Sequence, residues 1–293
     1  MGQTLPMPER SVQLLIAIIT HPQDRRFRTF LDGYLQLAKP FYQISSILMA
    51  GRSTGLRWFY TDPGQKFRAA DAAWLHVDLS LIPQDYLDLA ARYPVAINGQ
   101  VADIRKRQVS HNLVDQGSDW QGPVLVKSDL NCQGSPETFI ARKMARLGGL
   151  PFVSANHPEY RLFDGLGLVP DAVWPDRSRV VEKYLPETRG GTNVLRVWSF
   201  LGSHERCNWY SSPEIIVKGQ NIVEFGPCPV PDEIRAERRR LGFDYGKFDF
   251  AIGPEGPVLY DANRTPGRLN ARADYMRAEA DRMSSALIRL VKG

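Results

Sequence analysis

The sequence predicts an α/β protein with α+β lobes: a small parallel sheet dressed by helices, followed by lobes in which antiparallel strands carry the polar chemistry. Three observations lead there. Over roughly the first 100 residues, strand-like apolar runs alternate with helical periodicity, the pattern of a parallel sheet. Residues 248–252 read as a mostly apolar strand, residues 253–256 (Gly-Pro-Glu-Gly) as turn chemistry, and residues 258–260 as the return strand of a hairpin. The chain is 293 residues long with 43% hydrophobic and 24% charged residues, ordinary for a soluble globular protein with room for more than one lobe.

Taken in order, residues 1–10 are polar and Pro-rich and read as a loose tail. Residues 12–20 are the first strand, and their near-continuous apolar run suits a central parallel strand covered on both faces. That run is far shorter than the ~20 residues that span a bilayer. It also lacks the flanks of a signal peptide. Residues 24–39 read as a helix, with Phe27, Phe30, Leu31, Tyr34 and Leu37 at helical spacing. Residues 44–50, 56–61 and 72–77 read as strands. Pro83 opens a helix through Arg92, and residues 95–98 make a short strand closed by Asn98 and Gly99. No GxGxxG occurs, so dinucleotide binding is not expected. Ligands of parallel sheets gather beyond the C-terminal strand ends. His21, His76 and Asp78 lie at such ends, which makes His21 and His76 candidates for touching a substrate.

Residues 122–128 form a strand ending in Lys127, and a polar loop with Gly134 follows. Ser135, Pro136 and Glu137 then suit the first turn of a helix that carries Phe139, Ile140, Met144 and Leu147 on one face. A lysine at a strand end offers a cation to phosphate, and a small-residue loop lets backbone N–H groups approach phosphate oxygens. The Walker pattern is absent. Cys132, in that loop, has no His neighbour to make it a nucleophile. Residues 148–177 read as irregular connection, residues 179–185 as a strand with Glu182, Lys183 and Leu185, and residues 192–201 as a long strand carrying Arg196. Further strands are expected within 203–225, a charged helix over 231–241, and a last helix over 270–291 whose buried stripe is Met276, Ala280, Met283, Leu287 and Leu290.

The hairpin places Asp249 on one arm and Asp261 and Asn263 on the other, an all-oxygen donor set that suits Mg²⁺. A hairpin with two solvated carboxylates is the plain alternative. The net charge of +5 fits an anionic ligand or nucleic acid, and the basic stretches near 25–28 and 235–240 contain or adjoin acids, as solvated helix faces do. Three cysteines without a CxxC pair suggest neither a disulfide framework nor a zinc site. A reducing, cytoplasmic setting is therefore expected.

A basic residue, an Asp within a strand, a Gly turn, Asp-x-Asn, and then Pro266 and Gly267 together resemble the ATP-grasp superfamily, above all its D-alanine–D-alanine ligases and RimK-like ligases. The second acid is Asp where many members carry Glu; either carboxylate binds Mg²⁺. The resemblance covers roughly residues 95–270. It implies an ATP-grasp fold behind an N-terminal parallel α/β pre-ATP-grasp domain. The expected divisions are residues 1–100, a small lobe with the phosphate loop at 101–185, and a C-terminal lobe with the metal site at 186–293.

The resemblance also implies roles. Asp249, Asp261 and Asn263 would hold Mg²⁺ on ATP. Lys106, at the start of a helix, would contact phosphate, with the adjacent Arg107 as the alternative. Lys127 and Gly134 would belong to the phosphate loop, which is shorter and poorer in glycine than in many members. Glu182, Lys183 and the backbone of Leu185 would meet adenine, and Glu187 the ribose. Arg196 would reach the transferred phosphate, a task suited to a forked, permanently charged guanidinium. Arg264, after the metal Asn, would bind a substrate carboxylate or phosphate.

The implied activity is that of an ATP- and Mg²⁺-dependent ligase joining a carboxylate to an amine, on an amino acid or peptide, through an acylphosphate. A kinase on the same scaffold, and a non-catalytic nucleotide- or nucleic-acid-binding module, are the alternatives. A ligase needs two acceptor substrates and frees phosphate, whereas a kinase does not. Retention of three metal positions and three cations argues against the binding module. Monomer and homodimer both stay open, and no membrane association is expected.

Overall fold

An unbroken run of aliphatic side chains makes β1 (Leu14–Ile19) the buried centre of a parallel sheet, because such a strand hides both faces. The sheet is completed by β2 (Leu56–Thr61), β3 (Ala72–Leu75) and β4 (Ala96–Ile97) in the order β2-β1-β3-β4, every pair parallel. The structure, a computed structural model, describes residues 13–24, 42–149, 154, 160–267 and 272–293. The expected tail at 1–10 and nearly all of the helix at 24–39 lie outside the described residues.

One element is corrected. Residues 44–50, expected as a strand, form helix α1 (Gln43–Ala50). Ile44, Ile47 and Leu48 all go inside while Met49 faces out, which is the i, i+3, i+4 period of a helix. Over a run this short, apolar content alone does not separate the two periods. Helix α2 (Gln84–Ala90) forms where expected and buries Tyr86, Leu89 and Ala90 in the core that includes Ala73 and Leu75 of β3.

A second, antiparallel sheet has β5 (Val124–Ser128) between β6 (Arg161–Phe163) and β7 (Arg179–Lys183). Helix α3 (Lys106–Val109) precedes it, and helix α4 (Ser135–Gly148) follows β5. The third sheet is the largest. It contains β8 (Glu187–Arg189), β9 (Thr192–Leu201), β10 (His204–Ser212), β11 (Glu224–Pro227), β12 (Tyr245–Gly253) and β13 (Gly256–Asn263). Its order is β11-β10-β9-β12-β13, with β8 paired to β9.

One face of this large sheet packs an aromatic core of Trp198, Phe200, Phe243, Phe248 and Phe250 beneath Ile234 of α5 (Asp232–Arg240). At one end its other face meets α6 (Ala273–Lys292), whose Met283 and Leu287 join Leu201 and Tyr245 in the same core as Leu14, Ile16 and Ile44 of the parallel region. The expected stripe of the last helix thus ties the first sheet to the third. No helix among the described residues is long and apolar enough to cross a membrane.

Two polar devices fasten these parts. Asn98 sits at φ 58° in the left-handed region, which Asn tolerates better than most residues. Its side-chain oxygen accepts the N–H groups of Asp244 and Tyr245 at 3.0 Å each, and its side-chain nitrogen donates to the Tyr245 carbonyl at 2.8 Å. Glu279 of α6 is buried and meets His204 at 3.0 Å, Arg282 at 3.0 Å and Arg206 at 3.7 Å. Burial pushes its carboxyl up, but His204 first, and then Arg282 and Arg206, pull it below its ordinary value. A depressed carboxyl adds stability that is present above its unfolded pKa and is lost as pH falls through the folded one. Glu279→Gln is therefore expected to cost about 1–3 kcal/mol at neutral pH. The gap in urea midpoint between the two proteins should close as the pH is lowered toward 3. A gap independent of pH would mean that the cations do not hold this carboxylate.

Candidate functional site

The site is built from strand parity. β12 and β13 pair antiparallel with Lys247 opposite Asn263 and Asp249 opposite Asp261. Side chains alternate across a strand. Lys247, Asp249, Asp261 and Asn263 therefore share one face, while Phe248, Phe250 and Ala262 turn into the aromatic core on the other. A bulge follows between Asp249 and Phe250.

Cations reach this face from three directions. Lys247 Nζ lies 3.0 Å from Asp249 Oδ2. Lys106, the first residue of α3 and almost fully buried, pairs with Asp261 Oδ1. Lys127 of β5 pairs with Glu182 of the neighbouring β7 and donates to the Tyr260 carbonyl at 3.3 Å, which ties the small sheet to the large one. Glu182 also accepts the Ser110 hydroxyl. Arg107 turns away to Asp129, so of the two adjacent basic residues Lys106 is the one in the site.

Lys106, Lys127, Lys247, Glu182, Lys183, Asp249, Asp261 and Asn263 line a single cleft of about 400 Å³, walled on its apolar side by Leu125, Ile215 and Ile216. An adjoining recess of about 510 Å³ shares Leu125, Tyr160, Ile215, Ile216 and Lys218 with it.

Burial holds the Asp249 carboxyl above its ordinary value, with Lys247 pulling against burial and Asp261 adding to it. For Lys106 and Lys247 burial opposes the charge, but Asp261 and Asp249 respectively outweigh it, so both ammonium groups titrate above their ordinary value. Asp249 Oδ1 is buried with no hydrogen-bond partner among the described residues. Asn263 Oδ1 is oriented by the backbone N–H of Thr265 at 2.8 Å and its hydroxyl at 3.2 Å. Two carboxylates, one of them with an oxygen left without a partner, and a carboxamide oxygen are hard donors and fit Mg²⁺, which takes few protein ligands and fills its shell with phosphate and water. No cluster of three His, Cys, Asp or Glu occurs among the described residues, so such an ion would depend on Asn263 and on ligand oxygens.

The loop after β5 winds through a left-handed turn, with φ of 46° at Cys132, 58° at Gln133 and 74° at Gly134. Gly134 stands at the N-cap of α4, is buried and does not line the cleft, whereas Cys132 does. Two non-glycine residues in this region store strain. Lys183 faces the cleft with its ammonium 4.9 Å from the Trp120 ring. Leu185 is buried, does not line the cleft, and accepts the Tyr260 hydroxyl on its carbonyl at 2.6 Å.

Several expected residues are not brought together. Arg196 pairs across the sheet with Phe250, and its neighbour Val197 pairs with Asp249. Arg196 therefore stands on the core face, where its guanidinium forks onto Glu187 at 2.7 and 2.8 Å. Glu187 also accepts the Ile252 N–H at 2.8 Å. Neither lines the cleft; a shift of one residue along a strand exchanges faces.

His76 is fully buried, with the ring of Tyr42 edge-on at 4.9 Å. His21 stacks on Tyr86 at 6.2 Å beside a separate small cavity, and burial lowers its pKa. Arg264 is fully buried and donates to the carbonyls of Val77 at 3.2 Å, Val101 at 2.6 Å, Ser80 at 3.2 Å, and Leu79. This corrects its assignment to substrate, because its donors are spent on backbone. Burial pulls its guanidinium down to about 9 against the pull of Asp78, Asp103 and Glu137, so it stays charged at neutral pH.

Lys247, Tyr160 and Tyr260 line the cleft without a role in the sequence reading. The signal for Lys247 was the Lys-x-Asp spacing on one strand, which puts both on one face. Tyr160 lies in the segment read as irregular and carries no such signal.

No protein-family model matches the chain, and no curated protein matches it. Solved structures do resemble it. The ATP-grasp ligase PsnB complexed with a precursor peptide and AMPPNP superposes at a TM-score of 0.51 with 14% identity, over 94% of this chain and 97% of that one. PsnB complexed with a phosphomimetic variant of a minimal precursor, Mg and ADP gives 0.51 and 12%, over 94% and 98%. A D-alanine–D-alanine ligase from Bacillus anthracis gives 0.47 and 11%, over 96% and 97%. The chain has the ATP-grasp fold of the two PsnB structures.

Arg264→Met strips the donors from these four carbonyls. It is expected to lower unfolding free energy by about 3–5 kcal/mol, read as a lower urea midpoint. A wild-type midpoint would return Arg264 to the list of substrate contacts.

Proposed function

From the ATP-grasp fold we propose that this protein is an ATP- and Mg²⁺-dependent ligase joining a carboxylate to an amine, with an amino acid or peptide as substrate. One observation carries the reading: Asp249, whose Oδ1 is buried without a hydrogen-bond partner among the described residues, lines one cleft with Asp261, Asn263 and the lysines Lys106, Lys127 and Lys247. Such a mixture of hard oxygen donors and cations suits a metal–triphosphate, whose charge must be neutralised before an anionic carboxylate can approach it.

In this reading Asp249, Asp261 and Asn263 hold the metal, which when bound supplies a Lewis acid for phosphate oxygens. Lys106, Lys127 and Lys247 give their charge to the phosphates as the carboxylates turn to the metal. The left-handed turn ending at Gly134 shapes the phosphate loop, and Glu182 and Lys183 border the base; Leu185 lies outside the cleft lining and has no part in it. A substrate carboxylate oxygen attacks the γ-phosphorus and ADP leaves; the amine then attacks the acyl carbon and phosphate leaves. The chain's own share is positioning and charge neutralisation. Arg196 and Glu187 have no part in it, because they stand on the other face of the sheet.

The test has two arms. Mg²⁺ with AMPPNP should raise the melting temperature of the wild type through ligand linkage, and should leave that of Asp261→Asn unchanged. Phosphate release from Mg-ATP, screened against amino acids and short peptides, should require two acceptors and fall at least ~100-fold in that variant, by analogy with the loss of one stabilising group. Phosphate transferred to a single acceptor, with none set free, would replace the ligase by a kinase. Lys247→Met should lower kcat more than it raises KM, because its charge matters most when phosphate charge develops. Equal kcat in both proteins would remove Lys247 from the site.

A further inference from the structure

Cys207 and Cys228 lie side by side on the core face of the large sheet, away from the cleft. Their sulfurs are 3.2 Å apart, and the Cys228 N–H donates to the Cys207 carbonyl at 3.1 Å. They continue the antiparallel register in which Asn208 faces Pro227. Facing residues of such strands have Cα atoms about 5.5 Å apart, inside the separation of roughly 4.4–6.8 Å that a disulfide bridges. Both are free thiols; Cys207 is buried and Cys228 half-buried at the end of the outermost strand. The third cysteine, Cys132, is remote from them in the cleft.

The two sulfurs are unequal. The hydrogen bond from Cys207 and then the charge of Arg196 hold the Cys228 thiol below its ordinary value against burial, while the same hydrogen bond and burial push Cys207 up. Burial raises the Cys132 thiol to about 11. Arg196, locked in place by Glu187, thus has a use on this face that the nucleotide cleft does not supply. A thiolate stabilised by a guanidinium, with a second thiol in contact, is the arrangement of an exchange-competent pair.

We propose that Cys207 and Cys228 take a reversible intramolecular disulfide by exchange with a low-molecular-weight disulfide such as oxidised glutathione. The Cys228 thiolate attacks one sulfur of oxidised glutathione; a mixed disulfide forms and one glutathione leaves as thiolate, taking the proton that Cys228 gave up. Cys207 then loses its proton and attacks the Cys228 sulfur, and the second glutathione leaves. Two protein thiols are oxidised to one disulfide, and one oxidised glutathione is reduced to two thiols. The bond ties the end of β11 to β10. The segment 213–223, which carries Ile215, Ile216, Val217 and Lys218 of the cleft wall, joins the two strands at the other end of their pairing, so the tie would close the hairpin at the end away from that wall. This proposal stands apart from the ligase reading.

Reduced full-length protein is incubated with oxidised glutathione in native buffer, quenched with acid, denatured, and alkylated for thiol counting and peptide mapping. The three thiols present at the start should fall to one, with the Cys207 peptide linked to the Cys228 peptide, and dithiothreitol should restore all three. Cys207→Ser, a small change at the second sulfur, should halt the reaction with glutathione retained on Cys228. Three surviving thiols, or glutathione retained on Cys132 alone, overturns the proposal.

Discussion

Two carboxylates set opposite each other on neighbouring strands are the constraint on which this molecule turns. Asp249 faces Asp261 in the register of β12 and β13, and like charges so placed repel. The chain answers with Lys247, two residues back on the same strand, and with Lys106, which comes from 155 residues away to pair with Asp261. A third lysine, Lys127, is brought to the same cleft by the small sheet and held there by Glu182. The result is a cleft whose charges balance internally and whose cations and carboxylates are the groups that a metal and a polyphosphate would separate. One carboxylate oxygen, on Asp249, is left without a donor, a cost that a folded protein rarely keeps without a use.

Holding that arrangement requires the first sheet to be rigid against the hairpin. Arg264 does this by spending a buried guanidinium on four carbonyls of the crossover segments after β3 and β4. The bond from Gln43 N–H to the Pro266 carbonyl at 3.0 Å continues the seam, and Asn98 closes it at the start of β12. The residue next to Asn263 is thus a structural cation here, and its burial is tolerated because its guanidinium is surrounded by carbonyl acceptors. A site carried on strands braced in this way is held more closely than one carried on loops.

The two faces of the large sheet divide the chemistry. One face carries the carboxylates and lysines; the other carries the aromatic core, the Arg196–Glu187 pair and the two neighbouring thiols. A single residue along β9 separates them, since Val197 rather than Arg196 lies opposite Asp249. Parity is all-or-none in a regular strand, so no side-chain rotation brings Arg196 across.

Much of this was legible in the residues alone. The parallel sheet followed from aliphatic runs set between helices. The hairpin followed from Gly and Pro between two apolar strands, and the strand–loop–helix at 124–148 from a lysine at a strand end ahead of a well-formed helix start. Each is a local pattern, set within about ten residues by turn chemistry and side-chain period. The short run at 44–50 was not legible, because an apolar segment of seven residues satisfies a helix and a strand equally well until packing chooses. Tertiary structure alone decided that Lys106 rather than Arg107 enters the cleft, that Arg264 is consumed by backbone carbonyls, and that Arg196 turns to the far face. Those outcomes depend on how sheets stack and which segments meet over separations of up to 187 residues, and no periodicity within a strand or helix encodes that.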